Sequence, residues 1–232
     1  PRTIQMDSIS AKRRYVQSVI DEIFEKDIRR RLKIRNKNTF ETVQKYIINN
    51  FAATTSLKSL KKAIEQNGTA ISEATIARYV KALLDAKILC ECPRFDMKSK
   101  KSLSGEKKYY LADTAFYFAQ NTDNRINFGP VLENITYIYA KSHDYSVAVG
   151  RIGKLECDFI LRNNEMRYSY IQVAYTIALS KDTEDREYRP LESIKDNYPK
   201  YVVTADSILQ QRNGIEHINL IDFMRNGKEF LA

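Results

Sequence analysis

Two β-prone runs separated by a short polar turn constrain this chain more than any other stretch. Residues 167–176 read Arg-Tyr-Ser-Tyr-Ile-Gln-Val-Ala-Tyr-Thr and alternate aromatic, apolar and polar side chains, the pattern of a central strand. Residues 156–161, Glu-Cys-Asp-Phe-Ile-Leu, form a second strand, and residues 162–165, Arg-Asn-Asn-Glu, read as the hairpin turn between them. Successive strand side chains point to opposite faces, so Glu156 shares a face with Asp158, and Gln172 shares one with Ala174. Here the second strand offers only the neutral amide of Gln172, a poor Mg²⁺ ligand, and Ala174, which carries no charge at all.

A formal charge of +9 and a pI near 9.3 favour a polyanionic partner. At 232 residues, 43% of them hydrophobic, the chain has room for one large or two small cores. Seven glycines and five prolines leave little for linkers. Three cysteines, Cys90, Cys92 and Cys157, lack zinc-knuckle spacing and read as reduced thiols of an intracellular, cytoplasmic protein. The histidines His143 and His217 stand apart and suit loop or core positions rather than metal ligation. No apolar run approaches the roughly 20 residues that span a bilayer, so no membrane partner is expected. Opening at Pro1 with no initiator Met, the sequence is expected to be a piece of a longer polypeptide.

In chain order, helical spacing predicts helices over residues 15–32 and 39–51, the second capped by Thr39. A helix over residues 56–66 ends at Asn67-Gly68, and Ser72 caps the next, which runs to about Lys87 with Thr75, Arg78 and Lys81 on its polar face. A strand over residues 88–97, a basic loop over 98–106 and a returning strand over 107–113 complete a helix-turn-helix followed by a hairpin. That is the order of a winged helix-turn-helix, whose second helix enters the major groove while the wing touches the backbone. Duplex DNA is therefore the expected partner, met by Thr75, Arg78 and Lys81 on the helix and by Lys98, Lys100, Lys101, Lys107 and Lys108 on the wing. The domain boundary is expected at 122/123. Residues 123–232 read as a helix carrying Glu133, three strands, a helix begun by Pro190 and running to residue 197, two strands and a short end helix. That order suits helices around a mixed sheet, for an α+β or α/β class overall.

Several stretches carry a resemblance: Phe24-Glu-Lys-Asp-Ile28, Ser72-Glu-Ala-Thr-Ile-Ala-Arg-Tyr79, Lys107-Lys-Tyr-Tyr-Leu-Ala-Asp113, Gly129-Pro-Val-Leu-Glu-Asn134, Glu156-Cys-Asp-Phe159 and Tyr170-Ile-Gln-Val-Ala-Tyr175. In this order they resemble the region C-terminal to the ATPase core of bacterial and archaeal AAA+-type ATPases. That region is a family of unknown function with a winged helix followed by a PD-(D/E)xK restriction-endonuclease-like domain. The resemblance implies that a helix Glu, a strand Asp and an E-x-K pair hold Mg²⁺ where the nuclease is competent. Glu133 and Asp158 match this pattern, while Gln172 and Ala174 depart from it and leave vestigial positions. The ATPase core is implied as a partner in the same polypeptide. ATP and Mg²⁺ belong to that core, and no glycine here opens a phosphate-binding G-x-x-x-x-G-K-[ST] loop, so no cofactor is expected in this chain.

The reading is therefore a non-catalytic regulatory and nucleic-acid-binding region with a degenerate nuclease fold. One alternative is an active metal-dependent nuclease with migrated residues, in which Lys154 or Lys181 supplies the ammonium and Glu156 joins Asp158 and Glu133 as a metal ligand. The other is a protein-interaction module whose basic surface is merely solvated.

Overall fold

A computed structural model describes residues 2–32, 34, 36–121 and 126–230. The chain divides into two compact units, Pro1–Glu91 with Tyr109–Ile126, and Cys92–Lys108 with Asn127–Ala232. The boundary expected at 122/123 lies outside the described residues. The class is mixed α and β, with a large mixed sheet.

In the first unit a 3-10 turn, Arg2–Gln5, precedes helix α1, Ile9–Ile23, whose cap Ser8 accepts from the Ala11 N–H at 3.1 Å. The helix continues into a π-helical turn, Phe24–Ile28, and the short α2, Arg29–Arg31. Helix α3, Lys37–Asn49, is capped by Asn36 rather than Thr39: the Asn36 carboxamide oxygen accepts from the Thr39 N–H at 3.1 Å. An Asn at that place satisfies an orphan N–H as well as Thr would, three residues earlier. Strand β1, Thr54–Thr55, helix α4, Leu57–Gln66, and helix α5, Glu73–Asp85, follow, the helices capped by Ser56 and Ser72. Strands β2, Leu89–Asp96, and β3, Lys101–Leu111, form a hairpin that passes from one unit to the other. Helix α6 is Ala115–Gln120. Phe40 anchors the core, 5.1 Å from the Phe24 ring and edge-on to Tyr79 at 5.2 Å, with Ile20, Ile47, Leu60, Ile76 and Leu83 also buried.

The second unit holds helix α7, Phe128–Ser142, strands β4, Ser146–Ile152, β5, Leu155–Arg162, and β6, Tyr168–Val173, and helix α8, Lys181–Glu192. Strands β7, Lys200–Thr204, β8, Gln211–Arg212, and β9, Ile215–Asn219, and helix α9, Leu220–Phe230, complete it. The sheet order is β3-β2-β4-β5-β6-β7-β9-β8, with β1 beside β3 in the first unit. The parallel neighbours are β2 and β4, β6 and β7, and β7 and β9, while β5 is antiparallel to β4 and β6. Strand β6 is thus an interior strand, but it takes up only residues 168–173 of the expected 167–176 run, so Ala174 lies beyond its end. The tip of the hairpin belongs with this unit because β2 pairs with β4, Arg94 opposite Val149.

Two further expectations change. Strand β3 begins at Lys101, not residue 107, because pairing with β2 extends order into the polar stretch. Helix α8 begins at Lys181, capped by Ser180, and Pro190 lies in its last turn rather than opening it. Its charged stretch folds because Glu187, Tyr188 and Leu191 bury one face, while Arg212 pairs with Glu184 at 3.0 Å and Glu192 at 2.9 Å.

Candidate functional site

The polar centre of the second unit is built on a β-bulge. Ala148 pairs with Ile160 and Gly150 with Cys157, so Asp158 and Phe159 together lie opposite the single Val149. A bulge of this kind re-aims a side chain. Its trace is that Cys157 and Ile160, three residues apart, enter the same apolar cluster beside Tyr188 and Leu191 of α8. Phe159 instead meets Tyr137 of α7, ring centroids 6.2 Å apart. Gly150 permits the close approach, since a Cβ there would lie 3.1 Å from Ile160 and 3.2 Å from Cys157.

Asp158, 7% exposed, accepts from the Val173 N–H at 2.9 Å, and its own N–H donates to the Gln172 side-chain oxygen at 3.3 Å. The Gln172 amide donates to Glu187 at 3.1 Å, and Arg186 closes that chain at 2.7 Å from Glu187. Glu133 arrives from α7 on a turn whose neighbours Leu132, Thr136 and Tyr137 are buried. Glu156, two residues before Asp158, completes the acidic group, as strand alternation predicted.

At the middle of these carboxylates sits Lys108. Its ammonium is 2.8 Å from Glu133 Oε1, 2.8 Å from Glu156 Oε1 and 3.7 Å from Asp158 Oδ1, in a residue only 4% exposed. Arg94, also buried, extends the array: its guanidinium donates to Glu156 Oε2 at 2.7 Å and to Glu106 Oε2 at 2.5 Å. Glu156 therefore bridges two cations, one on each oxygen. Burial would lower the Lys108 pKa, but Glu133, Asp158 and Glu156 together reverse that and hold it above the ordinary lysine value. Burial, followed by the charge of Glu133, raises the Asp158 carboxyl well above the usual aspartate range. Burial also opposes ionisation of Glu156, yet Lys108 and Arg94 bring its pKa below the usual value.

This donor set does not fit a divalent cation while Lys108 is charged. Mg²⁺ needs carboxylate oxygens near 2.0–2.1 Å, and the oxygens that would supply them already converge on an ammonium. Among the described residues no His, Cys, Asp and Glu group has metal-binding geometry.

The structure brings Glu133, Asp158 and Glu156 together as expected and places Gln172 beside them. Ala174 packs instead into the apolar cluster with Tyr170 and Ile177. Lys108 is not an exposed cation of the hairpin: the ion pairs described above outweigh its desolvation. Lys154 is exposed in the β4–β5 turn, and Lys181 pairs with Glu184 at 2.8 Å, so neither is the ammonium of this centre. Lys98, Lys100 and Lys101 are exposed, and Lys107 is half-buried. On α5 the Thr75 hydroxyl lies 3.0 Å from Ser72 in the cap, Arg78 lies over Tyr79, and Lys81 pairs with Asp85 at 3.0 Å. Arg78 and Lys81 border a cavity of about 200 Å³ with Asp27, Asp85 and Arg31, so acids lie beside the face that was expected to meet DNA. Sequence reasoning missed Arg94 and Glu187. It also misplaced Lys108, although a period of two puts Lys108 in phase with the fully buried Tyr110.

A family model described as Domain of unknown function (DUF8612) matches residues 1–125, more than half of the 232. The chain belongs to that family. The matched part includes Arg94 and Lys108 but stops before Glu133, Glu156 and Asp158. An uncharacterized protein of Haemophilus influenzae is 26% identical over 214 residues, 92% of this chain and 52% of that protein. Uncharacterized protein MJ1544 of Methanocaldococcus jannaschii is 26% identical over 228 residues, 96% of this chain and 49% of that protein. The chain thus spans about half the length of these curated relatives. No solved structure matches it.

Proposed function

We propose that this chain is the non-catalytic, nucleic-acid-binding and regulatory region of a larger AAA+-type ATPase, built on a nuclease-like scaffold that carries its own cation. The observation that carries this reading is Lys108, whose ammonium lies 2.8 Å from both Glu133 and Glu156. In a metal-dependent nuclease a divalent ion collects the carboxylates, stabilises charge on the scissile phosphate and lowers the pKa of a bound water. An ammonium balances the same carboxylates and does none of that.

The order α3-β1-α4-α5-β2-β3 supports the winged-helix reading of the first unit. The exposed Lys98, Lys100 and Lys101 at the hairpin tip, on a chain of net charge +9, support contact with nucleic-acid phosphates. The ATPase assignment rests on the sequence resemblance, and a chain half as long as its relatives leaves room for a core of that kind.

One observation favours a second reading, an active nuclease whose lysine has migrated: Lys108 comes from a different strand, yet its ammonium lies 3.7 Å from Asp158. Plasmid nicking and Mn²⁺ titration separate the two. The proposal expects no nicking and no Mn²⁺ binding by the wild type, with Mn²⁺ binding gained in Lys108→Ala. Wild-type nicking that disappears in both Asp158→Ala and Lys108→Ala establishes the nuclease instead.

A further inference from the structure

A second site in the same unit lies on the other face of β2. Alternation places Phe95 opposite in sense to Arg94, and Phe95 lines an open cleft of about 660 Å³ formed with β4, β5, β6 and the loop before β7. That volume lies within the range of small-ligand sites. Its walls are aromatic, with Tyr168 and Tyr198 tilted at 59° and their centroids 5.3 Å apart. Tyr198 is the most open ring, 41% exposed. Arg162 and Lys100 supply positive charge at the lining.

The loop that presents Tyr198 is pinned before any ligand arrives. Asp196 accepts from the Tyr170 hydroxyl at 2.6 Å and from the Tyr198 N–H at 3.2 Å, and Lys200 donates to the Asp196 carbonyl at 2.8 Å. A preset aromatic face loses little freedom on binding. The charge selects the ligand. Two cations at the lining, Arg162 and Lys100, stand against the single carboxylate of Asp196, and this positive balance disfavours an organic cation despite the aromatic walls. A flat, weakly polar ring attached to a phosphate satisfies both the rings and the cations. In a duplex the base faces are hidden by their neighbours, so the base must be unpaired. Lys98 and Lys101 continue the exposed basic surface beyond Lys100, where adjoining phosphates of a strand would lie.

We propose that this cleft binds a single-stranded nucleic acid, with an unpaired base stacked on Tyr198 and its backbone phosphate met by Arg162 and Lys100. The inference deepens the nucleic-acid reading above and rests on it. The test is fluorescence anisotropy of the full chain with a labelled ten-residue oligothymidylate and, separately, a labelled duplex. Tyr198→Ala is expected to weaken oligothymidylate binding by roughly tenfold, as loss of one stacked base does, while Tyr198→Phe keeps it and duplex affinity stays unchanged. Equal oligothymidylate affinity in wild type and Tyr198→Ala, or no binding by the wild type, overturns the site. Competition by thymidine monophosphate as effective as by the unlabelled strand also overturns it, assigning the cleft to a free nucleotide. Duplex binding that persists while the strand fails to bind sinks this site alone. Loss of duplex binding sinks the broader reading independently.

Discussion

Lys108 and His217 show how single buried polar residues set this protein's stability. Removing Lys108 takes the buried ammonium from among three carboxylates and leaves only Arg94 on Glu156, so Lys108→Ala is expected to lose about 3–5 kcal/mol, the usual result of breaking a buried ion pair from one side. Urea denaturation measures this loss. Added Mn²⁺ should then raise the melting temperature of the variant and leave the wild type unmoved, since a divalent ion takes the place the ammonium left. His217 behaves differently. Its Nε2 lies 2.7 Å from the Thr204 hydroxyl oxygen, and burial lowers its pKa below the ordinary 6.5 despite Asp206 nearby at 3.8 Å. The unfolded chain therefore binds more protons at this residue than the folded one once pH drops through 6.5, and stability falls in that window. The melting temperature should decline between pH 7.5 and 5.5, and His217→Gln should flatten the decline. An equal slope in that variant assigns the titration to another group.

At the scale of elements, the bulge in β5 matters most, because it sets Asp158 and Phe159 together against the single Val149 without moving the strand out of the sheet. Its partner strand needs Gly150. A Val at that place meets Ile160 and Cys157 at contact distances below normal packing, and the strands must part or the side chains leave their rotamers. Gly150→Val is expected to cost about 1–3 kcal/mol by overpacking, read by chemical denaturation. Because the strain falls on the bulge, the same variant should also alter the environment of Asp158, seen as a changed carboxyl titration by NMR. Helix α8 makes the complementary point. Its composition is among the most charged in the chain, and it is helical because three residues at helical spacing face the sheet while Arg212 gathers the acids on its flank.

For the whole molecule, charge is the property with the widest reach. Of the five hairpin cations expected to meet phosphate, Lys98, Lys100 and Lys101 are exposed, whereas Lys108 is committed to the interior. Replacing the three exposed lysines by Ala should weaken duplex binding about evenly across sequences. The slope of log affinity against log salt should fall by roughly 0.9 for each phosphate contact removed. Titrations at several salt concentrations give both numbers. An unchanged slope moves the nucleic-acid surface away from the hairpin or favours an interaction module. No described helix is long and apolar enough to cross a membrane.

Local pattern determined much of this molecule. Helical spacing located α3, α4, α5 and α7, serines marked the caps of α4 and α5, and alternation located β5 and β6 and put Glu156 beside Asp158. Those features depend on neighbours within a few residues, which a sequence displays directly. The site was legible only in its carboxylates. That Lys108 and Arg94 would neutralise them was decided by β2 pairing with β4 across 55 residues of sequence, as Arg94 pairs with Val149. Pro190 inside a helix and the bulge at Asp158 were likewise settled by long-range packing, which offsets local propensity with buried surface. A lysine in a basic run reads as solvated until its tertiary partners are known, because only the three carboxylates gathered around it, two of them buried, make its burial cheaper than its hydration.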